Sequence, residues 1–543
     1  MIVIDDIDRL NNVEIRQIFQ LVKALADFPN TVYLLAFDRT VVVNALRSVQ
    51  EGAGEKYLEK IVQIPFELPE ISKHDLEKLL FSPLDELLRD LPEGRLDPVY
   101  RGNIYHTGLK YFFNSVRDVT RYLNSLRFSF GLVKNDVNLV DFLTIVALQV
   151  FEPGVYSSIR ANKDVFAGVF ARDYGSRDPA IEAAKAISDQ TLALNAILDS
   201  AQLKELLIRI FPKLNSIYGN TTYGPDSLRS WRLLDRVCSP DLFDTYFRLS
   251  IAKEDISNAE IKSILSLASK KDAFGEALLK LKVDGRLLRF LDRMEDYTES
   301  QIPEKDIEPI IESFMDLGDL FPEARHSMFV TDTPMRLLRL SYQLSQRFSD
   351  QATRFEILKK AIINAKRSLY TITHEVGVQC QQHGKYDLKS GPADPEAQRT
   401  VNSEQLIVLE KLAREKIETW ARDGRLRTHA KLVTILYDWR RWSSTEEQNV
   451  KAFVKELVTT DDGLITLITG FVEKSYATGY GDYVSREEWN ISLESLKEWV
   501  EISEIEPRVR SMLKGEQLER LTADRQRALN TFIDTVDGKK RRR

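Results

Sequence analysis

Near the start of the chain, side chains of reactive type sit at a spacing that supports chemistry. The apolar run Ile2-Val3-Ile4 leads into Asp5-Asp6-Ile7-Asp8-Arg9. A short continuous apolar run is the pattern of a strand buried on both faces of a parallel sheet, and such strands end at the carboxyl edge, where ligands bind. One carboxylate at that edge can hold a magnesium ion, largely through water. A second can orient or deprotonate an attacking water. Asp5 is the candidate for the metal and Asp6 for the water, which gives the segment the shape of a Walker B strand. A plain strand and turn fits the same residues. A second run, Thr31 to Phe37, is rich in β-branched and aromatic residues and ends on Asp38-Arg39. A polar group there can sense a terminal phosphate. Asp38 is also a natural helix N-cap, and the two roles are compatible.

The elements that would position these groups follow in order. Asn11 or Asn12 can cap a helix whose apolar residues Ile15, Ile18, Phe19, Val22 and Leu25 recur at helical spacing, and Pro29-Asn30 ends it. Asp38 caps a further helix through Leu46. Strand, helix, strand is a crossover unit of a parallel sheet, and the second strand, like the first, is expected to be buried. From Pro65 the pattern turns helical. Pro83 is expected to kink or divide one helix, and further helices are expected over 109–130, 139–151 and on to 335–373. A polar stretch with Gly and Pro, Gln381 to Gln398, reads as a linker. Beyond it Asn402 or Ser403 caps a helix carrying Leu406, Leu409, Ala413, Ile417 and Trp420, and a last helical block is expected from Leu426 to about Phe532.

Composition fits this reading. The 543 residues hold 24 Gly and 18 Pro, below the usual share of about 12%, and 29% are charged. Few breakers in a charge-rich chain favour helices. With 82 acidic against 76 basic residues the net charge is −6, which disfavours wrapping of nucleic acid by the body of the protein. The basic tail Lys539 to Arg543 could touch phosphates or anionic lipid, although a solvated end is the common fate of such a run. Two cysteines imply no disulfide framework and suit a reducing compartment. No window reaches the length of apolar residues that a membrane span needs.

At the level of motifs the resemblance becomes specific. Ile4-Asp5-Asp6-Ile7-Asp8-Arg9-Leu10, Ala36-Phe37-Asp38-Arg39, and Tyr57-Leu58-Glu59-Lys60-Ile61-Val62-Gln63 with Pro65-Phe66 resemble the KAP family of P-loop NTPases. Val116-Arg117-Asp118, with Arg121 and Asn124 on the same helix, is similar to the element that follows the family's core. Phe151-Glu152-Pro153-Gly154-Val155-Tyr156 and Leu436-Tyr437-Asp438-Trp439-Arg440 resemble its continuation in large bacterial members. The resemblance implies an ATPase related to signal-transducing NTPases, some of whose bacterial members act against phage. It implies ATP and magnesium as ligands of the complete protein, with Asp5, Asp6 and Asp38 as catalytic residues. Arg39, Lys60, Arg117 and Arg121 would then bind the nucleotide, the two arginines on one helix face reaching its phosphates. A surface salt-bridge face is the commoner fate of such a pair.

The departure from the family pattern is equally clear. No Gly-x-x-x-x-Gly-Lys-Ser/Thr occurs in the chain, so the loop whose amides and lysine cradle phosphates is missing from it. The expectation is that the chain is the C-terminal part of a longer protein, and that alone it neither hydrolyses ATP nor binds it tightly. His374, Cys380 and His383 could supply three zinc donors where a structural site takes four, and their spacing is read as fortuitous. Tyr437, Trp439 and Trp442 read as core.

The expected fold class is an α/β remnant of a P-loop NTPase core followed by a large, mainly α-helical region. The expected divisions are a partial core over 1–68, a helical lid-like part over 69–165 and a helical region over 166–380. A linker over 381–400, a C-terminal helical region over 401–538 and the basic tail over 539–543 complete them. The expected function is ATP hydrolysis, in the complete protein, coupled to signalling or phage defence. The alternative is a non-enzymatic helical interaction module that retains part of an NTPase fold. A protein partner or self-association and a cytoplasmic location complete the reading, with membrane association through a missing upstream segment as the alternative, the tail as the one part that could touch nucleic acid, and no membrane-spanning segment in the chain.

Overall fold

The architecture was analysed in a computed structural model, which describes residues 1–25, 28–47, 54–89, 91–92, 95–170, 179–219, 221–321, 333–385, 392–443, 447–477, 486–514 and 521–538. The basic tail and the middle of the 381–398 segment lie outside the described residues. The chain forms two compact units, Met1–Ser82 with Asn114–Val116, and Pro83–Phe113 with Arg117–Arg543.

In the first unit β1 (Ile2–Ile4) is followed by a 3-10 turn at Ile7–Arg9, α1 (Asn12–Leu25), β2 (Tyr33–Leu35), α2 (Arg39–Leu46) and α3 (Gly54–Glu59). The strands pair in parallel, Ile2 opposite Tyr33 and Ile4 opposite Leu35, and Ala36 N donates to Ile4 O at 2.9 Å. Asn11 caps α1 reciprocally: its Oδ1 accepts from Val13 N and Glu14 N while Glu14 Oε2 accepts from Asn11 N. Ile7, Ile15, Phe19, Val42, Ala45, Leu46 and Leu58 form the small core. Phe37 meets Phe19 edge to face at 5.4 Å, and Arg16 Nε donates to Ala45 O.

The expectation of two fully buried strands is not met. Val3 is 55% exposed, Val32 63% and Leu34 54%. The helices cover Ile4 and Leu35, and among the described residues no third strand joins this sheet. A two-stranded pair therefore leaves apolar side chains open to water.

The second unit is mainly helical. The helix α4 (Lys73–Leu88) continues through Pro83, where the division between units falls, so the proline does not divide it. It is followed by α5 (Pro98–Thr107), α6 (Val116–Val133), α7 (Leu139–Phe151) and α8 (Pro153–Ala161). The helix expected over 109–130 is instead a 3-10 turn at Leu109–Phe112 and then α6. Asn138 caps α7, which is buried along nearly its whole length. With 13 residues it is too short to span a bilayer, and no helix among the described residues is long and apolar enough to cross a membrane.

Two further cores follow, one built from residues between Ile256 and Ala413 and one from residues between Leu369 and Ile533. Helix Ser403–Arg422, capped by Asn402, has the five buried positions expected of it. The last helical block needs a correction: β3 (Val472–Ala477) and β4 (Arg486–Ile491) form an antiparallel hairpin within it. Trp489 on β4 is buried beneath Lys474 and Arg527, whose charged ends lie 4.3 and 4.6 Å from its ring.

Candidate functional site

The parallel pair places Asp5, Asp6 and Asp38 beyond the carboxyl ends of adjacent strands. Asp6 adopts a left-handed backbone, φ 56°, a conformation that aspartate tolerates better than most residues. This turn drives Ile7 into the core, fully buried, and leaves Asp5 and Asp6 exposed. Asp5 Oδ1 accepts from Asp6 N at 2.8 Å, and Asp6 Oδ1 pairs with Arg9 Nε at 3.1 Å. Arg9 is a partner that the sequence reading left without a role. Its spacing of three from Asp6 across a tight turn was the available signal.

Asp38 caps α2: its Oδ1 accepts from Thr40 N at 2.7 Å and Val41 N at 3.1 Å. Arg39 Nη2 pairs with Glu55 Oε1 at 2.9 Å, and the hydrogen bond and charge of Glu55 raise the guanidinium's already high pKa. Lys60 is exposed just beyond α3. Asp5, Asp6, Asp38, Arg39 and Lys60 thus share one unit, whereas Arg117 and Arg121 belong to the other. Both arginines are exposed on α6. Arg121 Nη2 donates to Val150 O at 3.2 Å, and its guanidinium lies 5.8 Å from the centre of the Phe151 ring.

The donors suit magnesium in one specific way. Two exposed carboxylates meet the ion's taste for oxygen, but among the described residues no group of three or more His, Cys, Asp or Glu is placed to hold a metal. Such a pair fits an ion whose remaining ligands are water and phosphate oxygens, not a closed protein cage.

The other motifs have structural work. Glu152 is fully buried, and its carboxylate accepts the backbone N–H groups of Ala196, Ile197 and Leu198. Pro153 opens α8, and Phe151 stacks on Phe112 at 5.1 Å. Arg440 lies over Tyr437 and Trp499 and pairs with Glu498 at 2.8 Å. Burial pushes the Asp438 carboxyl up to about 7, against the pull of Arg441. The three zinc candidates have other neighbours. His374 Nε2 lies 3.3 Å from Met335 Sδ, Cys380 Sγ donates to Glu410 Oε1, and His383 Nε2 donates to Val401 O at 2.9 Å.

A strand ending in two exposed acids, a capped crossover helix and a second strand ending on Asp38-Arg39 together make part of a P-loop NTPase domain. Residues 1–129 match the KAP family P-loop domain, and a large helical region follows. Across 583 aligned residues, 99% of this chain and 73% of the relative, the chain is 22% identical to the Phage T7 exclusion protein of Escherichia coli (strain K12). No solved structure matches the chain.

Proposed function

We propose that the first unit supplies the Walker B side of an ATP site, and that ATP hydrolysis there is coupled through the helical region to exclusion of phage. The observation that carries the reading is the turn at Asp5-Asp6. A buried Ile7 and a left-handed Asp6 fix two carboxylates in solvent at the carboxyl edge of a parallel strand pair. In this reading Asp5 holds magnesium through water and Asp6 orients the attacking water and takes its proton. Bound magnesium would neutralise phosphate charge as the terminal bond breaks. Asp38 keeps one oxygen on the amides of α2, which leaves the other to accept from a water that contacts the terminal phosphate. Arg39 and Lys60, in the same unit, would add positive charge, Arg39 after release from Glu55. The 543 residues contain no Gly-x-x-x-x-Gly-Lys-Ser/Thr motif, so in this reading the phosphates are not held by that loop of the given sequence.

The likeness to an exclusion protein supports the phage side of the proposal, and the length of the helical region supports a sensing or transmitting role. Missing loop chemistry favours a second reading, a non-enzymatic module that binds a protein partner. The test is Asp6→Asn in the longest polypeptide that the gene encodes. Magnesium-dependent phosphate release should fall at least about a hundred-fold while labelled ATP is still retained. Turnover that is unchanged overturns the assignment of Asp6. A wild-type polypeptide that neither binds nor hydrolyses ATP favours the interaction module.

A further inference from the structure

The middle and C-terminal cores are separate clusters, Trp442 packs against both, and two stretches of chain carry buried residues of both. One is helix Ser403–Arg422, in which Leu406, Leu409 and Ala413 belong to the middle core and Ile417 and Trp420 to the C-terminal one. The other is the connector 365–371, which joins helix Gln351–Asn364 to helix Tyr370–Gln382 and includes the first two residues of the latter.

The connector's backbone is held in opposite senses from its two sides. Its amides meet carboxylates at the end of helix Glu304–Leu317 and the turn after it. Asp316 Oδ1 accepts from Lys366 N at 2.6 Å and Arg367 N at 3.0 Å. Asp319 Oδ2 accepts from Leu369 N at 2.6 Å and Tyr370 N at 2.8 Å, while its Oδ1 accepts from Thr371 N at 2.8 Å. Its carbonyls meet cations. Lys416 Nζ donates to Ala365 O at 2.5 Å, and Arg425 Nη1 donates to Lys366 O at 3.0 Å.

His429 joins the two grips. Its Nε2 donates to Asp319 Oδ2 at 3.0 Å, and its Nδ1 accepts from Lys431 N at 3.1 Å. That pair of bonds engages both ring nitrogens. Trp420, in the C-terminal core, meets the His429 ring edge on at 5.8 Å and carries the Arg425 guanidinium 4.1 Å from its own centre. Apolar contacts tolerate sliding, whereas hydrogen bonds weaken steeply with angle and distance. A joint made of such bonds passes displacement on.

We propose that the connector 365–371 is a clamp that couples the middle and C-terminal cores, with His429 as its pin. The proposal is independent of the nucleotide reading. Hydrogen exchange on the full chain tests it, comparing His429→Ala and Arg425→Ala with Lys360→Ala. Lys360 forms the exposed pair with Glu308 on the same flank.

In His429→Ala the amides of 366–371 and those of the C-terminal helix Asp461–Gly470 should exchange about ten-fold faster, as one cooperative unit. Those of Leu139–Phe151 should not move, and Lys360→Ala should change none of them. Exchange that rises equally in Leu139–Phe151, or that rises at the connector and not at Asp461–Gly470, or that does not rise, overturns the proposal. If His429→Ala fails to fold, Arg425→Ala decides alone. A joint rise at the connector and Asp461–Gly470 supports coupling, and any other pattern overturns it.

Discussion

Two acids of the first unit and three of the helical unit meet opposite fates. Asp5 and Asp6 stand exposed at the end of a strand pair whose own apolar residues are partly uncovered. Asp141 and Glu152 are buried, Asp319 is largely covered, and all three are saturated with donors. Asp141 accepts from the Tyr100 hydroxyl at 2.5 Å, from Arg236 Nε at 2.7 Å and from Val237 N at 2.9 Å. Burial, assisted by the Asp141 charge, holds the Tyr100 phenol far above its usual range. A carboxylate whose lone pairs are all engaged is structural material, and one that is held in place yet open to solvent can still bind something. The contrast teaches that the acids of this chain sort by satisfaction more than by motif: the sequence singled out Glu152 as it did Asp5, yet Glu152, which lies beyond the residues 1–129 that match the family, is fully occupied by the 196–198 loop.

The strongest way to break that contrast is Asp141→Ala. Removing the carboxylate strands the Arg236 guanidinium in a nearly closed site, and breaking a buried pair from one side costs about 3–5 kcal/mol. Urea unfolding of the variant should show that loss. A change below about 1 kcal/mol would mean that the saturated network is not structural. Asp5→Asn, by contrast, should leave the unfolding midpoint where it is.

A smaller effect sharpens the comparison from inside the helical unit. Glu375 is buried with the Gln379 amide as its hydrogen-bond donor at 2.7 Å. Burial pushes its carboxyl up to about 7, from a model-peptide value of 4.5. The folded pKa lies above the unfolded one, so the contribution is fully present below the unfolded pKa and is lost as pH rises through about 7. Its slope is at most about 1.4 kcal/mol per pH unit. The stability of Glu375→Gln minus that of wild type should therefore rise across this window in a chemical-denaturation series. A flat difference would show that Glu375 is better paired than its neighbours indicate.

Much of this was legible in the sequence, for physical reasons. The uninterrupted apolar run of α7 and the 3-4-4-3 spacing in helix Ser403–Arg422 report buried faces directly. Asp38-Arg39 at a strand end announced both the helix and its cap. Periodicity states that a face is apolar and not that anything covers it, so Ile2, Val3 and Leu34 read as buried and are exposed. The β3–β4 hairpin was missed because its strands carry charged or polar residues at seven of their twelve positions, and Trp489 is shielded by Lys474 opposite it on β3 and by Arg527 from a later helix. The clamp at Asp319 and His429, 110 residues apart, has no local signature at all.

Asp38 lies between the two classes and gives the finest test of the comparison. One of its oxygens is committed to the amides of Thr40 and Val41, and the residue is exposed. Asp38→Ala removes the cap and should cost the first unit about 1 kcal/mol, seen as faster hydrogen exchange over Arg39–Leu46. Asp38→Asn retains an acceptor oxygen for those amides, so exchange there should stay near wild type. If Asp38 also senses the terminal phosphate, both variants should lose phosphate release in the longest encoded polypeptide, Asp38→Asn without any loss of protection. Should Asp38→Asn keep both protection and turnover, the residue is a cap and nothing more, and the exposed acids that bear on chemistry reduce to Asp5 and Asp6.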